Sequence, residues 1–207
     1  MSVDPPASVN GPEVAGILLA AGTSSRMGAN KLLLELDGET ILRGAARRAL
    51  AGGLAPLLVV LGHQAERTRA ELHGLACEAV VNPDFEEGIT ASLRCGLAAL
   101  PEGVEAAMVL LADMPRVTAA MIAAMVVRFR AVRPRLVISD YAGVQAPPML
   151  YDRTLFAELA AMDDGRCGRQ VVERHRNEAA VLSFPAPALT DLDVPADYEL
   201  LRQGVPP

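Results

Sequence analysis

The chain has 207 residues, half of them apolar, with a formal net charge of -6 and only seven Tyr and Phe residues and no Trp. That length allows one large domain or two small ones, with a sizeable core. No apolar run approaches the roughly 18 residues of a membrane span. An acidic chain poor in aromatics also lacks the basic patch and the stacking platforms that nucleic acid requires.

The opening "MSVDPPASVNGP" has neither a charged n-region nor an apolar h-region, so residues 1–12 read as a loose tail ahead of a domain at 13–203. Soluble and cytoplasmic is the expectation, with no membrane partner. Short, branched-rich apolar runs then alternate with helix-spaced segments. Strands are expected at 14–21, 54–62, 76–82, 106–113, 135–141 and 178–185, because these runs are apolar on both sides of the pleat. Helices are expected within 39–53, 64–74, 89–100, 118–131 and 153–162, with Gly52, Gly53 and Gly74 closing two of them. The alternation implies an α/β fold: one three-layer Rossmann-like domain around a mainly parallel twisted sheet, with ligands at the carboxyl ends of the strands. The stretch "VQAPPMLYD" carries two prolines and is expected to be a loop or an edge strand. Cys77, Cys95 and Cys167 are scattered and form no C-x-x-C, so they read as core thiols rather than a disulfide or zinc framework.

The segment "GILLAAGTSSRMGANKLLL", residues 16–34, interrupts this pattern. Ten residues separate the first apolar run from the next, among them two glycines, three hydroxyls, an arginine and a lysine. A glycine-rich loop after a strand can cradle phosphates with backbone N–H groups and the positive end of a following helix. Gly22 and Gly28 are six apart and Leu32 follows Lys31, which excludes the P-loop pattern; Thr23-Ser24 after Gly22 excludes the dinucleotide pattern. "LAAGTSSRMGANKLL" instead resembles the L-A-A-G-x-S-x-R-M-G-x-x-K-L-L loop of small nucleotidyltransferases, and most closely that of the molybdenum cofactor cytidylyltransferases. The likeness runs from about Val14 to Leu201. It implies a fold like that of nucleotide-diphospho-sugar transferases and a loop wrapped around a triphosphate. Leu19, Ala20, Ala21, Gly22, Thr23 and Ser24 would line it, Arg26 would neutralise the β/γ end, and Lys31 the charge that builds on the α-phosphate. Alignment and positive charge are what displacement of pyrophosphate needs.

Asp113 ends the buried run "AAMVLLADMP", on the ligand edge of the sheet, where it either caps the next turn or works. The resemblance makes it an Mg²⁺ ligand. In "LTDLDVPADYELL" Asp191 and Asp193 alternate along an extended segment and so point to opposite faces. Asp193 is the favoured second ligand and Asp191 the reserve, while Asp197 sits where the first turn of a helix favours an anion. Val194 stands where the family usually has Thr.

"NPDFEEGITASLRCGL" resembles the family segment that meets base and ribose, which brings Asn82, Gly88 and Ser92 into the expected nucleotide site; the alternative for Ser92 is a hydroxyl that bonds its own helix. His63, after Gly62, reads as positional, because a phosphate-monoester nucleophile is already ionised at neutral pH. The acceptor side departs from the family: "AGVQAPPMLY" and "DDGRCGRQVVERH" replace its usual turns, and Arg166, Arg169 and His175 serve either an anionic acceptor or a solvated helix face. The resemblance implies CTP and a phosphorylated acceptor as partners, molybdopterin first, and a molybdoenzyme or its maturation factor as a protein partner. A sugar phosphate or methylerythritol phosphate acceptor, or a non-catalytic chaperone, are the alternatives.

Overall fold

The computed structural model describes residues 13–24, 27–162 and 168–203. The expectations for residues 1–12, Arg26, Arg166 and Cys167 lie outside them. In chain order the elements are β1 (Val14–Ala20), a small hairpin of β2 (Glu35–Leu36) and β3 (Glu39–Thr40), α1 (Ile41–Ala51), β4 (Leu57–Leu61), α2 (Ala65–Glu71), β5 (Glu78–Val81), α3 (Ile89–Ala98), β6 (Ala106–Leu111), α4 (Ala119–Val132), β7 (Leu136–Tyr141), β8 (Val144–Asp152), α5 (Phe156–Ala160), α6 (Arg169–His175), β9 (Ala179–Phe184) and α7 (Pro195–Arg202).

Seven strands form one sheet in the order β5-β4-β1-β6-β8-β7-β9. Only β8 runs against its neighbours; the β5-β4-β1-β6 half and the β7-β9 pair are parallel. The central strands are apolar throughout because both faces are covered. Val14, Leu18 and Ala20 of β1 face a layer built from α1 and α4, where Leu42, Ala46, Ile122 and Phe129 are buried. Ala15, Ile17 and Leu19 face the opposite layer, with Leu93 of α3, Leu159 of α5 and Val171 of α6. A side-chain period of two thus sends alternate residues of one strand into two cores. Thr40 and Thr118 open α1 and α4 by accepting hydrogen bonds from the Arg43 and Met121 amides (3.3 and 3.2 Å), which supplies partners for otherwise orphaned N–H groups.

The proline segment is neither a loop nor an edge. β8 lies inside the sheet, between β6 and β7. Its pairing with β6 ends at Met149, and its register with β7 shifts between Ile138 and Asp140, so the prolines fall where the ladder lapses. Two hydroxyls bond the proline carbonyls instead: Ser139 donates to Pro148 (2.7 Å) and Tyr141 to Pro147 (2.9 Å). Prolines are tolerated at such irregularities because no ladder N–H is required of them.

The carboxyl ends of β1, β4, β5 and β6 share one edge. The Ala112 amide donates to Leu19 O (3.0 Å), His63 to Ala21 O (3.3 Å) and Asn82 to Leu61 O (2.8 Å). The C-terminal segment joins them, since the Leu192 amide donates to Asp113 O (3.1 Å). Four loops and a C-terminal segment almost eighty residues beyond Asp113 are thereby stitched to one place. No helix among the described residues is long and apolar enough to cross a membrane.

Candidate active site

A cavity of about 370 Å³ opens at that edge. It is lined by the first loop from Leu19 to Ser24, by Gly88 and Ser92 at the start of α3, and by Lys31, Asp113 and Asp193. The loop is shaped by Ser24, which adopts a left-handed conformation (φ 54°). Its carbonyl accepts from the Met27 amide (2.9 Å) and its hydroxyl from the Lys31 amide (3.2 Å). The chain then folds into a short 3₁₀ turn at Lys31–Leu33, opened by the Asn30 side chain, which accepts from the Leu32 amide (3.1 Å). The first α-helix begins only at Ile41, so no helix dipole follows this loop directly. The strand–loop–helix expectation is thereby corrected: among the described residues it is loop amides and Lys31, not a helix end, that face an anion here.

The Lys31 ammonium lies 2.5 Å from Asp113 Oδ2 and 3.5 Å from Asp193 Oδ1, with its side chain mostly buried. Two carboxylates from distant parts of the chain therefore converge on one cationic position. Asp191, the reserve candidate, does not line the cavity and is an exposed residue. Its carboxyl is nonetheless pushed up to about 6, by lost hydration first and then by the carboxylates of Asp113 and Asp193, with Lys31 opposing. Asp197 serves the backbone: its Oδ2 accepts from the Asp193 and Val194 amides (both 2.9 Å), the reach-back half of a capping box whose other half Val194 has no side-chain oxygen to make.

The chemistry of this donor set fits a hard divalent cation. Mg²⁺ takes a few carboxylates and completes its shell with phosphate oxygens and water, and Asp113 and Asp193 provide such a pair beside open space. Among the described residues no group of three or more His, Cys, Asp or Glu side chains can hold a metal.

Gly88, also on the cavity lining, has φ 102°, a conformation that favours glycine, and a Cβ there would meet nothing within 4 Å. Ser92 lines the cavity but Asn82 does not; Asn82 stands behind Ser92 as a support. Sequence reasoning missed Met27, Phe85, Glu86, Ile89 and Leu111, which also line the cavity. Phe85 comes this close because position 62 is glycine: a Cβ on Gly62 would lie 2.5 Å from Phe85 Cβ and 2.8 Å from Ala21 Cβ. The lone aromatic inside "NPDFEEG" was the available signal. Arg169 and His175, offered for the acceptor, are held elsewhere: Arg169 pairs with Glu173 (3.0 Å), and His175 Nε2 lies 2.8 Å from Glu158.

Comparison with known proteins decides the family. The model of the MobA-like NTP transferase domain matches residues 16–179. The chain belongs to the MobA-like NTP transferase family. It is 30% identical to the purine catabolism protein PucB of Bacillus subtilis, over 94% of this chain and 98% of the relative. It is also 30% identical to the nicotine blue oxidoreductase of Paenarthrobacter nicotinovorans, over 80% and 83%. A "Probable molybdenum cofactor guanylyltransferase" of Opitutus terrae is 33% identical over about half of each chain. Among solved structures, Rv0371c of Mycobacterium tuberculosis H37Rv superposes with a TM-score of 0.83 at 27% identity, covering 94% of this chain and all of the other; it has also been solved as a complex with manganese.

Proposed function

We propose that this MobA-like chain is an Mg²⁺-dependent cytidylyltransferase, which moves CMP from CTP to molybdopterin and releases pyrophosphate. The observation that carries a transferase is the meeting of Lys31, Asp113 and Asp193 beside the glycine loop in one cavity. In this reading Asp113 and Asp193 hold the ion, which supplies positive charge to the phosphate oxygens when bound. The amides of Ala21 to Ser24 cradle the triphosphate, and Arg26 neutralises its β/γ end. Lys31 turns from its acids toward the α-phosphate, where negative charge builds as an acceptor phosphate oxygen attacks and the bond to the β-phosphate breaks. A compact ammonium suits that single position, and a forked guanidinium the two-oxygen end. Preorganised charge of this kind is the main help that such a transfer asks of protein.

The assignment of CTP rests on the run R-M-G-x-x-K-L-L, residues 26–33 here, which resembles the cytidylyl branch. The manganese complex of Rv0371c supports a divalent cation. The molybdenum cofactor link draws on the loop and on the name of the Opitutus relative, and cytoplasmic location follows from the substrates. The test is pyrophosphate release by the purified protein with Mg²⁺, molybdopterin and either CTP or GTP. Turnover with CTP is expected, with at least about tenfold weaker binding of GTP, since a purine overfills a site packed for one ring by on the order of 1–3 kcal/mol. Turnover with GTP alone would move the chain to the guanylyl branch. Turnover with CTP and only a sugar phosphate or methylerythritol phosphate would change the acceptor. The name of the Paenarthrobacter relative raises an oxidoreductase reading; no cavity feature favours it, and hydride transfer from a reduced nicotinamide is the assay that would establish it.

A further inference from the structure

Asn82 and Ser92 are 97% buried or close to it, each 3% exposed, and their polar atoms form a short chain whose direction can be read. The Asp84 amide donates to Asn82 Oδ1 at 3.0 Å. A backbone N–H only donates, so that oxygen is identified and the other amide atom is nitrogen. Asn82 Nδ2 then donates to Ser92 Oγ at 3.1 Å. A hydroxyl that accepts there keeps its own proton for something else. Among the described residues Ser92 Oγ has no acceptor for that proton, neither the carbonyl one turn back in α3 nor any side chain, and Ser92 faces the cavity.

We infer that Asn82 is a positioning residue for base recognition: it fixes Ser92 as a hydrogen-bond donor aimed into the cavity, selecting a nucleobase that offers a carbonyl oxygen or ring nitrogen at that point. The inference rests on the cavity being a nucleotide site. Asn82 does not touch the base; it sets which way the hydroxyl speaks. A buried donor left unpaired is costly, so a base that turns an N–H toward Ser92 is rejected more strongly than one that merely fits less well.

Asn82→Asp tests this with little change of shape. The Asp84 amide still finds an oxygen, but the second carboxylate oxygen accepts from Ser92, so the hydroxyl turns round and its proton leaves the cavity. Ser92→Ala removes the donor outright. Calorimetric titration in Mg²⁺ uses two probes: a non-hydrolysable CTP analogue, and inorganic tripolyphosphate, which lacks a base. Both variants should bind the CTP analogue about tenfold more weakly and tripolyphosphate as well as the wild type does. The double variant should be no worse than Ser92→Ala, because both changes delete one interaction. Undiminished CTP binding by Asn82→Asp, an equal loss for tripolyphosphate, or additive losses in the double variant would each overturn the positioning role. A wild-type protein that binds tripolyphosphate no more weakly than CTP also overturns it, and one that binds neither overturns the nucleotide reading as well.

Discussion

In the proposed reaction Lys31 would have two tasks that differ in time. Its ammonium pairs with Asp113 and Asp193; with a triphosphate and a divalent ion in place, the acids would have another cation and the lysine would be available to phosphate. Lys31→Ala should therefore cut turnover by roughly 10²–10³, the usual loss for one preorganised donor. It should also lower the melting temperature in EDTA, because two neighbouring carboxylates are left facing each other, and Mg²⁺ should return most of that loss. Steady-state rates and melts with and without Mg²⁺ check both parts; near-wild-type turnover would remove the lysine from the mechanism. Asp113→Asn and Asp193→Asn should each abolish Mg²⁺-dependent transfer while the protein still melts cooperatively, since a neutral amide holds Mg²⁺ poorly. Asp191→Asn should retain activity, because Asp191 lies off the cavity wall. If Asp191 alone proved essential, the facing of this segment would be reversed.

Elements place these residues, and what could be read of them in advance followed from how local each signal was. The strand at 14–21 was legible because a run covered on both faces is apolar throughout, and Lys31 and Asp113 were legible because each closes or interrupts such a run. β8 was not, because prolines break ladders by default and only tertiary contacts from Ser139 and Tyr141 make them acceptable here. The hairpin of β2 and β3 was invisible, its strands being two residues long and without measurable period. The support role of Asn82 depends on a residue ten positions away on another element, which no local pattern encodes. Gly62 at the end of β4 belongs with these, since its reason is the ring of Phe85 against the first loop. Gly62→Ala should push Phe85 and Ala21 apart, costing about 1–3 kcal/mol of stability as overpacking does. It should weaken CTP binding as well, because both displaced residues line the cavity. Denaturant melts and titration report the two effects, and a variant as stable as wild type would show that Phe85 moves freely.

At the scale of the molecule, the fold gathers three carboxylates at the sheet edge of an already acidic chain, with Lys31 as their counter-charge. Function and stability pull apart there. Asp191, pushed up to about 6 in the folded chain, has an unfolded value of roughly 3.9. A carboxyl with a raised folded value binds its proton more tightly when folded, so it contributes stability below about pH 4 and loses that contribution as pH rises through about 6. Metal-free protein should thus be penalised at pH 7.5 by a charge it tolerates when neutral at pH 4. Asp191→Asn removes the titration. In EDTA its melting temperature should match the wild type near pH 4 and exceed it by about 2 °C at pH 7.5, a size discounted for solvent screening of an exposed group. Mg²⁺ should narrow the gap, because a cation on Asp113 and Asp193 offsets the repulsion that raises Asp191. A gap independent of pH would mean that the three acids do not sense one another, and with that the picture of one shared cation position would fail.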